Sequence, residues 1–222
     1  MRAYMIKKSQ IHRAILTFAL LLAFPIQAIA SDLLDGIRAY DSGSYKAALG
    51  ILEPLADAGD PSAQYTLGLI YHHGIEVKQD YPQSFGWLLL AAKKDVPQAA
   101  YVVAVMYAHG QGVSSDPKTA IQWYERAGKH GYSPAFHNPG VQYAQGRGTG
   151  VDYVTSLAYL IVAADLGSSS AAPKRDTLLD ALSSGEIAAA KAKAQSISSS
   201  IVPAVAIPLP REQNLSTIKA GD

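Results

Sequence analysis

The chain has 222 residues, of which 49% are apolar and 17% are charged, a balance that excludes a disordered polymer or a charged tail. Lys and Arg number 19 against 18 for Asp and Glu, and no basic cluster stands in the body, so we expect no nucleic-acid partner. Because the chain has no cysteine, we expect no disulfide, no thiolate zinc site and no lipoprotein anchor.

Residues 1–30 have the three regions of a secretory signal peptide. Residues 1–13 are basic, residues 14–24 are apolar, and small Ala28 and Ala30 precede a predicted cut before Ser31. An uncleaved membrane anchor is the alternative, but the apolar run is shorter than the roughly 20 residues that span a bilayer. We therefore expect an exported protein, periplasmic or secreted, with no membrane span after signal cleavage.

The body repeats itself every 36 residues. Alanine, tyrosine, glycine and aspartate recur at this spacing, in the columns Ala63, Ala99, Ala135 and Ala171; Tyr71, Tyr107 and Tyr143; Gly74, Gly110 and Gly146; and Asp80, Asp116 and Asp152. Apolar residues between the columns have helical spacing. The glycines are typical of a helix end, and the aspartates are typical of a helix start. Each unit is therefore predicted to be a leading helix, a turn and a trailing helix.

These residues resemble the Sel1-like repeat (SLR), a relative of the tetratricopeptide repeat. The second unit carries the pattern Tyr107-x2-Gly110-x-Gly112-Val113-x2-Asp116, followed by Trp123 and Ala127. The resemblance covers about residues 32–195. It implies an all-α fold, a right-handed α/α solenoid of helix-turn-helix repeats of about 36 residues.

The predicted organisation has seven parts. They are a signal peptide over residues 1–30, an N-terminal helical hairpin over 31–61, repeats over 62–97, 98–133 and 134–169, C-terminal capping helices over 170–196, and a flexible tail with Pro and Ser over 197–222. Prolines at 203, 208 and 210 favour an extended backbone in the tail. The alternative to a flexible tail is one that folds back into its own groove or into that of a neighbour.

Two positions depart from the repeat pattern. Glu76 stands in the second glycine column of the turn, and that turn is expected to be strained if its φ is positive. Pro139 stands in the column of Leu67, inside a predicted leading helix. Proline there removes a hydrogen bond and clashes with the carbonyl of Ala135, at a cost of about 3 kcal/mol. We therefore expect the third repeat to be the weakest.

Catalytic chemistry is not indicated by the sequence. No nucleophile elbow, phosphate loop or zinc-binding helix motif occurs, so we predict no catalytic residue, no metal and no cofactor. His73 and His109 share a column in successive repeats, which makes a bridging metal conceivable. No acidic or sulfur ligand completes that set, and solvated polar side chains are the interpretation we favour.

An aromatic and aliphatic stripe follows the leading helices on the expected concave side. Its predicted partner-binding residues are Tyr65, Leu69, His72, Tyr101, Val105, His137 and Val141. Such a stripe is suited to an extended peptide or an amphipathic helix, with Tyr65 and Tyr101 as anchors. The alternative is that the stripe packs against the preceding trailing helix.

The resemblance implies an adaptor that binds a protein or peptide in the bacterial cell envelope, in signalling or exopolysaccharide regulation. One alternative is a structural component of an envelope or polysaccharide secretion assembly. A cell-wall or β-lactam-binding hydrolase is a further alternative, which the missing cysteines and the missing catalytic constellation disfavour. We therefore predict a binding protein that is not an enzyme.

Overall fold

The computed structural model describes residues 30–203 and 206–211, and every regular element in these ranges is a helix. Most of the predicted signal peptide and the end of the tail lie outside the described residues. The helices are α1 (residues 30–41), α2 (Tyr45–Asp57), α3 (Pro61–His73), α4 (Tyr81–Lys93), α5 (Pro97–His109), α6 (Pro117–Lys129), a 3-10 turn (Ser133–Phe136), α7 (His137–Gln145), α8 (Tyr153–Asp165), α9 (Ala172–Ala181) and α10 (Ser184–Ser199). None of the described helices is long and apolar enough to cross a membrane.

Consecutive helices pack against one another along the chain. From α2 to α9 each helix contacts the next, and α10 returns to lie on α8. In this series α3, α5 and α7 are the leading helices of the three repeats, α4, α6 and α8 are the trailing helices, and α1 precedes them as the first helix of the N-terminal hairpin. The predicted all-α solenoid is confirmed.

The aspartate column starts the trailing helices. Each carboxylate of Asp80, Asp116 and Asp152 accepts a hydrogen bond from the backbone N–H three residues later, at 2.9, 3.1 and 2.8 Å. This bond satisfies an N–H group that has no partner inside the helix. The glycine column ends the leading helices, because Gly74, Gly110 and Gly146 all adopt a positive φ of 66° to 72°.

Glycines also let the two helices of a repeat approach each other closely. A Cβ on Gly68 would lie 2.5 Å from Leu88, and a Cβ on Gly140 would lie 2.8 Å from Leu160. At each crossing a buried serine of the trailing helix donates to the glycine carbonyl at 2.7 Å. In repeats 1 and 3 the backbone of the leading helix therefore lies directly against a leucine side chain of the trailing helix, and a residue larger than glycine would not fit there.

The second glycine of each turn joins one repeat to the one before it. Gly112 has a φ of 70°, and a Cβ there would lie 2.3 Å from the carbonyl oxygen of Tyr81 at the start of α4. Gly148 has a φ of 77° and lies against the backbone of Lys118 at the start of α6 in the same way. The stacking of repeats therefore depends on backbone contacts that exclude a side chain.

Glu76 occupies this position in the first repeat. Its φ of 58° lies in the left-handed region, which is strained for a residue with a side chain. Its Oε2 accepts a hydrogen bond from the N–H of Lys46 at 3.1 Å, in the first turn of α2. The side chain of Ser44, the residue before that helix, makes no capping bond. Glu76 therefore supplies a carboxylate to an otherwise uncapped helix start, which offsets part of the strain.

The structure corrects the expectation for Pro139. The leading helix of the third repeat is interrupted: a 3-10 turn, Ser133–Phe136, precedes a nine-residue α7 that begins at His137. Pro139 therefore stands in the first turn of α7 and not in a helix interior. Backbone N–H groups in a first turn have no intrahelical partner, so proline forfeits no α-helical hydrogen bond there.

Candidate partner-binding surface

Most of the predicted partner-binding stripe lies inside the protein. Tyr65, Leu69, His72 and Val105 are at most 5% exposed. The expected accessibility of these four side chains is corrected, because other parts of the chain cover α3 and α5 over most of their surface. Their role in binding a partner stays a prediction.

Tyr101 is half-buried and packs in an aromatic cluster. Its ring centroid lies 5.6 Å from that of Tyr124 and 5.2 Å from that of Tyr132, with the planes tilted by about 60°. Burial raises the pKa of Tyr101 and of Tyr124. Tyr101 therefore holds α5 against α6 and the following turn, which leaves only part of its ring for a partner.

His137 is also half-buried, at the start of α7. Its Nδ1 lies 3.3 Å from the hydroxyl of Ser170. Burial, followed by the positive charge of Lys174, lowers the pKa of His137. This shift favours the neutral imidazole, which links α7 to the loop before α9.

Val141 lines an open apolar pocket between α7, α8 and α9. The pocket has a volume of about 220 Å³, and its walls include Gly140, Val141, Ala144, Leu160, Lys174 and Leu178. Cofactor and drug-sized ligands occupy cavities of about 300–1,000 Å³. This pocket is therefore sized for one or two side chains of a partner, with the exposed Lys174 at its edge.

The adjacent histidines of α3 are packed and neutral. The His72 ring lies edge-on to His73 and Tyr81, with centroid distances of 5.5 and 5.2 Å. Burial lowers the pKa of His72, with a partial offset from the side chain of Gln111. Burial and the neighbouring His72 lower the pKa of His73 to about 4. Within residues 30–203 and 206–211, no three His, Cys, Asp or Glu side chains converge on a point that could hold a metal ion.

The C-terminal tail returns along the body, and we name residues 201–203 and 206–211 the strap. The N–H of Val202 donates to the carbonyl of Lys129 at the end of α6, at 2.8 Å. The N–H of Arg211 donates to Oδ1 of Asp41 at the end of α1, at 2.9 Å. The expectation of a flexible tail is thus corrected for these residues, which fold back on their own chain. The helical part also continues to Ser199, past the predicted end of the cap at residue 196.

Two strap side chains pack against the larger part of the hydrophobic core. Ile207 and Leu209 are half-buried against it, Pro210 is buried, and Ala206 and Pro208 face solvent. Side chains that alternate in this way between the body and solvent are typical of an extended segment lying on a surface. The prolines suggested an extended tail, but no local signal showed which surface it covers.

Comparison with known proteins finds a family model that matches parts of all three repeats. The model of the family described as Sel1 repeat matches residues 61–96, 97–132 and 140–168. A solved Sel1 repeat protein from Oxalobacter formigenes is 36% identical over 64% of this chain and 60% of its own, with a TM-score of 0.59. A protective antigen present in uropathogenic Escherichia coli strains, which displays an SLR fold, is 35% identical over 55% of this chain and 26% of its own, with a TM-score of 0.53. The chain thus spans less than two thirds of either protein, and no curated protein matches its sequence.

Proposed function

We propose that this chain, a member of the Sel1-like repeat proteins, is an exported adaptor of the bacterial cell envelope. Sel1 repeat proteins generally mediate protein–protein interaction through a non-catalytic scaffold. The signal-peptide pattern of residues 1–30 supports export. A role in signalling or exopolysaccharide regulation belongs to the same proposal and rests on the family resemblance.

The proposed binding role is supported by a difference in exposure between the leading helices α3 and α7. Residues 62–70 of α3 are buried, whereas Val141, Ala144 and Gln145 of α7 keep exposed surface beside an apolar pocket. A half-exposed helix next to a pocket for side chains is a surface that an apolar partner segment can cover. We infer that a protein partner makes its first contact there.

A crosslinking pull-down from the envelope fraction tests this function. The baits are the mature chain, Val141→Asp, and Ala189→Asp as a matched control on the exposed face of α10. We expect one protein to be captured by the unmodified chain and by the control. Val141→Asp should capture at least tenfold less of it, because a partner's apolar side chain would have to strip water from the new carboxylate in order to enter the pocket. Equal capture by all three would contradict the pocket, and no capture by any would contradict the adaptor role.

A further inference from the structure

The burial of the helices shows that one face of the solenoid is covered. Every residue from 62 to 70 in α3 is buried, including the polar Ser62, Gln64 and Thr66. The trailing helix α4 keeps an exposed stripe that contains Gln83, Gly86 and Leu90. In a stacked array the leading helices form one outer face and the trailing helices the other. The cover therefore lies on the leading-helix side.

The strap extends over the same part of the molecule. It is held at Lys129, the end of α6, and at Asp41, the end of α1, so that it passes the helices from α6 back to α1. Between these two points Ile207 and Leu209 pack against the hydrophobic cluster that contains buried side chains of α3 and α5, such as Tyr65 and Val105. The strap therefore contributes to the cover over this part of the molecule, whereas α7 keeps exposed surface.

The attachment of the strap is weak compared with the packing of helices. Two hydrogen bonds tie it to the body, at 2.8 and 2.9 Å, and its buried or half-buried side chains are those of Ile201, Ile207, Leu209 and Pro210. The guanidinium of Arg211 lies 3.9 Å from the carboxylate of Asp41 and is 77% exposed. Exposed ion pairs contribute little to stability. A segment held in this way can be exchanged without disturbing the helices beneath it.

We propose that the leading-helix face under the strap is a peptide-binding surface, and that its partner supplies an extended segment in which aliphatic residues alternate with proline before a basic residue. The strap itself, Ile207-Pro208-Leu209-Pro210-Arg211, shows the chemistry that this surface accepts. The partner segment takes the place of the strap. The inference rests on the proposed function, because it names the kind of protein segment that the adaptor binds.

Two physical properties of the strap set the strength of such an exchange. Proline-containing segments are extended before they bind, so that little conformational entropy is lost on binding. A tethered competitor acts at an effective concentration of about 1 mM when its linker is short. The strap follows α10 directly and therefore weakens every external ligand that must replace it.

The test uses a fluorescent peptide of residues 201–211 and three full-length proteins. They are the unmodified chain, Leu209→Asp, whose new carboxylate faces the body, and Ala206→Asp, which adds the same charge to the solvent side of the strap. We expect Leu209→Asp to bind the peptide at least tenfold more tightly than the unmodified chain, because its own strap no longer competes. We expect Ala206→Asp to bind like the unmodified chain.

Each other outcome overturns the proposal. Equal affinity of Leu209→Asp and the unmodified chain would show that the strap does not compete, and no binding to either would show that the surface is not a peptide site. Loss of the helical circular dichroism signal in Leu209→Asp would show that the strap is part of the core. If the pull-down captures a partner but the peptide does not bind, only the inference about the strap is refuted. If the peptide binds but the pull-down captures no partner, only the adaptor role is refuted.

Discussion

Gly112→Ala is expected to lower the free energy of unfolding by about 3 kcal/mol. Two costs add: a positive φ costs a residue with a side chain about 1–2 kcal/mol, and forcing extra volume into a packed contact costs about 1–3 kcal/mol. The new Cβ would lie 2.3 Å from the carbonyl oxygen of Tyr81, and this backbone atom cannot rotate away as a side chain could. For a chain of this size the melting temperature should fall by roughly 6–12 °C.

Gly86→Ala is the matched control for this variant. Gly86 lies within α4 and has no positive φ, and a Cβ added to it would meet no atom within 4 Å. Alanine there should raise stability by about 0.5–1 kcal/mol, because glycine is a poor helix former. Thermal unfolding followed by circular dichroism measures both variants. An unchanged melting temperature for Gly112→Ala would contradict the tight contact between successive repeats.

Acidification from pH 7 to pH 5 is expected to cost about 2 kcal/mol of stability through His73 alone. Burial and His72 lower its pKa to about 4 in the folded protein, whereas an unfolded histidine has its ordinary value of 6.5. Below pH 6.5 the unfolded chain binds a proton that the folded chain does not, so the stability contribution present above pH 6.5 is lost as the pH falls towards 4. The pKa values of His72 and His137 are lowered as well, which adds to the loss in the same direction.

Urea unfolding at pH 7, 6 and 5 measures this loss. The aspartates with lowered pKa values, among them Asp95, Asp116 and Asp152, keep their contribution until the pH falls below about 3.8, so the window from pH 7 to pH 5 isolates the histidines. In His73→Gln the loss of stability over this window should be smaller by about 2 kcal/mol. The same loss in the variant and in the unmodified chain would contradict the burial of a neutral His73.

The solenoid could be predicted from the sequence because its signals are local. The glycine that ends each leading helix and the aspartate that starts each trailing helix act within one turn of their own backbone, and three copies in register confirm one another. The place of Pro139 could not be predicted in this way. The repeat column assigns it to a helix interior, but the chain forms a 3-10 turn over Ser133–Phe136 and begins α7 only at His137.

The accessibility of the binding surface could not be predicted because it depends on contacts between distant residues. The bond between Arg211 and Asp41 joins positions 170 residues apart. A periodic pattern finds the apolar face of a helix but does not distinguish a face that packs inside from one that a partner covers. Tyr65 was therefore expected to be an accessible anchor for a partner, and it is buried in this structure. Val141, a peripheral member of the same stripe, is the one that lines an open pocket.

Crosslinking tests directly whether the tail lies across its own body and can be displaced. The chain has no cysteine, so Ser42→Cys with Arg211→Cys provides the only two thiols for a short bismaleimide, and it keeps the bond from the N–H of residue 211 to Asp41. The control pair is Ser42→Cys with Ala189→Cys, on α10, which packs against α8 at the other end of the helix series. We expect the first pair, and not the control, to be joined within one chain, and excess peptide of residues 201–211 to lower the yield. Absence of this intrachain product would show that the tail does not lie across the body, and a yield that the peptide does not change would show that the tail is not displaced.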